Sequence, residues 1–159
     1  GMKTALYVAK VIHADLTYAQ ATSWSWWLAV SANDYKDGLI YTFNGTNKGE
    51  NDGNKFDADL QDSKTLWALG NYARFIRPGM KRIDVNLNRA NTYISGFKDD
   101  KSFVFVIVNT GEEFQINTDF KNAKTYTTSE DQNLTYANIK NGRIRIPKSS
   151  VVTLIIPSK

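Results

Sequence analysis

The chain has 159 residues, 42% of them hydrophobic and 13% aromatic: one domain's worth of sequence, or one and a fraction, with enough apolar material for a real core. That length excludes a complete eight-fold βα barrel, which takes roughly 200 residues or more. The absence of cysteine excludes disulfides, thiolate metal sites and cysteine nucleophiles.

The net charge of +4 comes from 20 basic and 16 acidic residues interleaved along the chain. Nucleic-acid binding wants clustered charge, and here no basic run exceeds two. A mixed, solvated surface is expected, with no nucleic-acid partner. No apolar run approaches the roughly 18 residues of a membrane span, so no membrane partner is expected either. No signal peptide is visible, and Gly1 ahead of Met2 reads as a cleavage scar. Any export signal is expected to belong to a longer parent.

Residues 3–18 contain no helix breaker and are apolar nearly all round, through Leu6, Val8, Ala9, Val11, Ile12 and Leu16. Lys3, Lys10 and Thr17 form the one polar stripe, so the segment reads as a helix packed against a layer. Residues 23–30, rich in tryptophan, suit a buried parallel strand. A polar stretch over 31–61 follows, with alternation from Leu39 to Phe43 and a turn signal at Asn44-Gly45. Asp62 then caps a helix over 63–77, with Leu66, Leu69, Ala73 and Ile76 on one face, and Pro78-Gly79 stops it.

Beyond Lys81 the apolar period becomes two. Ile83/Val85, residues 103–108, Phe114/Ile116, Ile144/Ile146 and residues 151–156 read as strands. Turn signals stand at Lys98-Asp99-Asp100, Thr110-Gly111 and Asn141-Gly142. About seven or eight strands argue an antiparallel sandwich. The fold class is therefore α+β, with α-β-α elements over 1–79 and a β-sandwich over 80–159.

Three stretches carry a family resemblance. They are Ala5-Leu6-Tyr7-Val8-Ala9-Lys10-Val11-Ile12-His13-Ala14-Asp15-Leu16; then Ser23-Trp24-Ser25-Trp26-Trp27-Leu28-Ala29-Val30 with Asp34-Tyr35-Lys36-Asp37-Gly38-Leu39-Ile40-Tyr41; then Ser63-Lys64-Thr65-Leu66-Trp67-Ala68-Leu69-Gly70-Asn71-Tyr72, running on through Arg74 to Gly79. Together they resemble glycoside hydrolase family 30, within it the endo-β-1,6-galactanase-like group. The resemblance implies that residues 1–79 are the last elements of a truncated (β/α)8 barrel and the remainder its side domain. It also implies a retaining hydrolase with two glutamates about 5 Å apart, on barrel strands that would precede Ala5. The four glutamates present, Glu50, Glu112, Glu113 and Glu130, match neither. Glu112-Glu113 reads as a charged hairpin. The chain alone is expected to carry no catalytic residue and to be inactive.

What the resemblance leaves to this chain is substrate contact. Tryptophans at the mouth of a barrel make natural walls for sugar subsites, and Trp26 is the best match to the family's sugar-stacking tryptophan. Strand alternation puts Trp24, Trp26 and Leu28 on one face, with Trp27 and Ala29 on the other, where Trp27 is expected under a helix. Trp24, Trp26, Tyr35 and Asp37 are the expected substrate-binding residues, with polysaccharide or oligosaccharide as partner. No cofactor or metal is expected: His13 reads as structural, and Asp52-Gly53-Asn54 with Asp57 and Asp59 reads as a polar loop rather than a calcium site. An extracellular or periplasmic location is implied for the parent.

A severed barrel would leave Leu6, Val8, Ile12, Trp24, Trp26 and Leu28 facing water, and homodimerisation through them, or closure of the chain's own loops over them, is expected. The competing class is a non-catalytic carbohydrate-binding or structural sandwich. It is disfavoured because Tyr93, Phe97, Phe114, Phe120, Tyr126 and Tyr136 fall mostly at core positions by alternation, with no tryptophan among them.

Overall fold

The computed structural model describes residues 1–33, 35–43, 59–120 and 122–158. The Asn44-Gly45 turn, Glu50, Asp34 and the Asp52-Gly53-Asn54 and Asp57 stretch lie outside them. Helix α1 (Met2–Thr17) comes first, followed by a small sheet of β1 (Val30–Ser31), β2 (Ile40–Phe43) and β3 (Asp59–Asp62). Helix α2 (Lys64–Ala73) closes the first half. Eight strands follow among the described residues: β4 (Lys81–Ile83), β5 (Thr92–Lys98), β6 (Ser102–Asn109), β7 (Phe114–Asn117), β8 (Ala123–Thr128), β9 (Thr135–Ile139), β10 (Arg143–Ile146) and β11 (Ser150–Pro157). The fold is α+β, and its sheets are mostly antiparallel.

Six of the eight strands form one sheet in the order β4-β5-β6-β11-β8-β9, and β7 pairs with β10 in a separate ribbon. Strand alternation sorts β6 and β11 cleanly. Ile107, Val152, Leu154 and Ile156 point to the ribbon, where Ile144 and Ile146 of β10 meet them. Val106, Val108 and Val151 point the other way, into a core with Ala5, Leu6, Val8, Ala9 and Ile12 of α1 and Ala68 and Tyr72 of α2. The molecule is thus layered as helices, six-stranded sheet and ribbon, rather than as two sheets of similar size.

That layering corrects the expected open barrel face. Leu6, Val8 and Ile12 are buried, Ile12 to 1% exposure, because α2 and the sheet already cover α1. Trp24 and Trp26 are half-buried against the same core. The exposed stripe of α1 is Lys3, Thr4 and Tyr7.

Three further expectations shift. Residues 23–29 are not a strand. Their ladder begins only at Val30, opposite Ile40, and an extended run without ladder partners does not count as one. Asp62 is not the cap of α2: it ends β3, and its carboxylate accepts from Trp67 Nε1. Ser63 is the cap, its Oγ accepting from the Leu66 N–H at 3.2 Å. Finally, Phe120 and Tyr136 are exposed rather than core.

Two of the expected turns are present, at Asp99 and at Gly142. Asp99 Oδ1 accepts from the N–H groups of Lys101 and Ser102 at 2.9 and 2.8 Å, closing the β5–β6 hairpin. Gly142 turns β9 into β10 at φ +70°, and a Cβ there would stand 2.0 Å from the Thr118 carbonyl oxygen, so only glycine fits.

Candidate functional site

The tryptophan run is held at both ends. On one side α1 ends at Thr17, and Asp15 in its last turn accepts from Trp24 Nε1 at 2.9 Å. On the other side the Asp37 carbonyl accepts twice, from the Leu28 N–H at 2.9 Å and from Trp26 Nε1 at 2.6 Å. The Leu28 carbonyl in turn accepts from the Leu39 N–H at 3.0 Å, leading into the β1–β2 ladder. A main-chain clamp therefore joins the tryptophan run to the loop that follows it.

The clamp relies on close approach at Gly38. Its N–H donates to the Tyr41 hydroxyl at 3.0 Å, and a Cβ would lie 2.9 Å from Ser31 Cβ. Lys36 sits at φ +66°, a conformation that side chains other than glycine rarely adopt, and it turns the loop between Tyr35 and Asp37. Such backbone outliers cluster where a structure holds a loop in one shape.

Each expected contact residue has a definite place. Trp24 and Trp26 stack on one another, centroids 6.0 Å apart and planes 19° apart, and both indole N–H groups are turned inward to protein acceptors. Asp37 works through its carbonyl, while its Oδ1 is buried and has no partner among the described residues. Tyr35 stands out into solvent, 76% exposed. The clamp thus gathers Trp24, Trp26 and Asp37 into one packed unit and leaves Tyr35 projecting beside it.

Trp27 reverses its expected role. It is 80% exposed, the most open of the large apolar side chains among the described residues, instead of lying under a helix. Alternation misplaced it because alternation holds only within a ladder, and the ladder starts three residues later, at Val30. The signal that could have found it is local: in a run of three tryptophans, only two can turn inward over one short core face. What the site offers in this chain is an exposed indole and an exposed phenol flanking a rigid clamp.

The glutamates lie elsewhere. Glu113 pairs with Arg145 across the β7–β10 ribbon at 2.6 Å, and that guanidinium holds its carboxyl below the ordinary range. Glu112 precedes it, and Glu130 lies in the turn after β8. His13 is buried, its Nδ1 2.8 Å from Ser95 Oγ. Among the described residues no group of three or more His, Asp or Glu side chains could hold a metal ion. None of the described helices is long and apolar enough to cross a membrane.

Residues 1–41, which hold α1, the tryptophan run and the clamp, match the model of O-glycosyl hydrolase family 30. Over these residues the chain is similar to glycoside hydrolase family 30. Glucuronoxylanase XynC of Bacillus subtilis is 31% identical over 106 residues, 59% of this chain and 25% of that protein. A conserved exported protein of Bacteroides fragilis superposes over 98% of this chain and 34% of its own, with a TM-score of 0.82 and 31% identity. A family 30 subfamily 8 xylanase of Clostridium acetobutylicum covers 99% of this chain and 40% of its own at a TM-score of 0.73 and 22% identity, a likeness of fold. The chain thus spans between a quarter and two fifths of the length of these relatives. The family match and the clamp coincide: Asp37 and Gly38 fall inside the matched residues, as does Trp27.

Proposed function

We propose that this chain is the closing portion of an exported polysaccharide hydrolase, with residues 1–79 as the last barrel elements and 80–159 as the side domain. It contributes an aromatic wall to the sugar site and leaves the catalytic carboxylates to other parts of the enzyme. The observation that carries this reading is Trp27, 80% exposed on a loop clamped by the Asp37 carbonyl. A bare indole costs the free protein contact with water, and the C–H face of a pyranose is a fitting cover for it. Tyr35 adds a hydroxyl that donates and accepts, while Trp24, Trp26 and Asp37 fix the geometry from below.

Two substrates fit the reading. The group resemblance of residues 5–79 favours β-1,6-linked galactan. The 31% identity to a protein named as a glucuronoxylanase favours xylan.

Titration of intrinsic fluorescence with β-1,6-galacto-oligosaccharides and with xylo-oligosaccharides separates the two. The expected result is saturable quenching by one series, abolished in Trp27→Ala. Identical titrations for wild type and Trp27→Ala would remove the reading.

A further inference from the structure

Strands β8 and β9 carry a feature that the tryptophan loop does not use. Tyr126 and Tyr136 stand directly opposite one another in the ladder, rings 5.4 Å apart and planes tilted by 48°. Phe75, just past α2, lies 4.4 Å from the Tyr126 ring and forms the floor. Tyr136 is 52% exposed on the outermost strand of the six-stranded sheet. The guanidinium of Arg74 lies over both Phe75 and Tyr126, 5.6 and 5.8 Å from their centroids. Lys124 shares the face of Tyr126 two residues earlier, exposed and opposite exposed Asn138.

Among the described residues no carboxylate pairs with Arg74 or Lys124. The nearest acids along the strand, Glu130 and Asp131, lie in the turn past Thr128. Packing explains why two tyrosines close a sheet edge. It does not explain an unpaired guanidinium held over their rings.

We infer that this edge binds an acidic polysaccharide, one whose sugars bear carboxylates. Adjacent rings offer stacking surface to pyranose C–H faces. A guanidinium beside them presents its donors as a fork that matches a carboxylate, and Lys124 supplies a second cation. The Asn138 amide can donate to and accept from ring hydroxyls. Neutral glucans would meet the rings but leave both cations uncompensated, so charge selects the uronate-bearing polymer. This inference stands apart from the reading of the Trp27 loop, and either can fail alone.

Affinity electrophoresis of the full chain in gels containing glucuronoxylan, against the same polymer after reduction of its carboxyl groups, tests it. Retardation by the acidic polymer is expected to be at least fivefold stronger than by the reduced one, and to weaken with added salt. Tyr136→Thr, which keeps strand preference, should lower affinity about tenfold. Arg74→Gln, at an exposed position outside the core, should abolish the difference between the two polymers. In a Trp27→Ala background, which removes the indole proposed for the sugar site, the difference between the two polymers should persist, because it rests on charge. The inference is overturned by equal retardation in the two gels, by none in either, by unchanged binding in Tyr136→Thr, or by a difference between the two polymers that vanishes in Trp27→Ala. Should Tyr136→Thr fail to fold, Arg74→Gln decides alone.

Discussion

Asn71 and Thr153 exchange hydrogen bonds where α2 lies on the centre of the sheet. Asn71 Nδ2 donates to Thr153 Oγ1 at 2.9 Å, and that hydroxyl donates to the Asn71 carbonyl at 2.6 Å. The second Nδ2 proton goes to the Tyr126 carbonyl at 2.9 Å, and both residues are wholly buried. Two polar groups thereby fix one register of helix on sheet that apolar packing alone would leave free to slide.

Breaking this pair should be expensive. Asn71→Ala removes the Nδ2 donor from both the Thr153 hydroxyl and the Tyr126 carbonyl in a buried site, an expected loss of about 2–4 kcal/mol. Thr153→Val should cost about 1–3 kcal/mol, and the double variant less than the sum by about 1 kcal/mol. Urea unfolding of the four proteins measures the coupling, and strict additivity would contradict the exchange.

Stability should fall on mild acidification. Burial pushes the His13 imidazole below its ordinary value of 6.5, so the unfolded chain binds the proton more readily than the folded one. The sign is therefore a loss that begins as pH drops through about 6.5 and continues down to the lowered folded value. Thermal midpoints between about pH 7.5 and about pH 5 should show it, and His13→Gln should flatten that part of the profile. A wild-type profile as flat as the variant's would assign the His13–Ser95 contact no titrating role.

The neighbouring tryptophans should separate stability from binding. Trp27→Ala is expected to leave unfolding within about 0.5 kcal/mol of wild type, since its ring touches mostly water. Trp26→Ala removes a packed, hydrogen-bonded indole and should cost about 2–4 kcal/mol. Equal thermal shifts for the two would show that the exposure difference has no energetic meaning.

A charge at position 12 should unfold the protein rather than split a dimer. Ile12 is sealed between the helices and the sheet, and an aspartate there would be a buried, unpaired charge, costing more than about 4 kcal/mol. Circular dichroism beside sedimentation distinguishes the outcomes: a folded monomer from a wild-type dimer would mean that α1 serves an interface.

Catalysis by this chain alone is expected to be nil. Purified protein should give no turnover of β-1,6-galactan, β-glucan or xylan, because a retaining mechanism requires two carboxylates across the scissile bond. Among the described residues the glutamates sit on the ribbon and in the turn after β8, away from the clamp in the fold. Reproducible release of sugar above blank, free of contaminating hydrolase, would contradict it.

Legibility followed side-chain chemistry. Strands β6 and β11 were visible because both faces are buried, giving near-continuous apolar runs. Strands β5, β8 and β9 carry no such run. The buried positions of β5 and β8 include Ser95, Thr125 and Thr127, which read as polar until their burial is known, and β9 is exposed along most of its length. Helix α1 was found to within one residue at each end, but not what covers it, since an apolar face does not name its partner. Residue type alone marks Trp24, Trp26, Tyr35 and Asp37 as contact residues. Trp26 turns inward to the Asp37 carbonyl, a main-chain group invisible to any pattern of side chains, and Trp24 to the Asp15 carboxylate nine residues earlier. The Arg74–Tyr126–Tyr136 group escaped for the same reason: it exists only through the register of β8 against β9.

The position of β11 sets the order in which this molecule can be made. Strands β5 and β6 form one local hairpin, β8 and β9 another, and each can form as soon as it leaves the ribosome. The sheet does not exist until residues 150–157 arrive and pair with β6 on one side and β8 on the other. Between the emergence of β9 and that of β11, then, the nascent chain holds two hairpins with exposed inner edges, Phe103 to Val108 among them. That is the interval in which it is most open to mispairing with its neighbours.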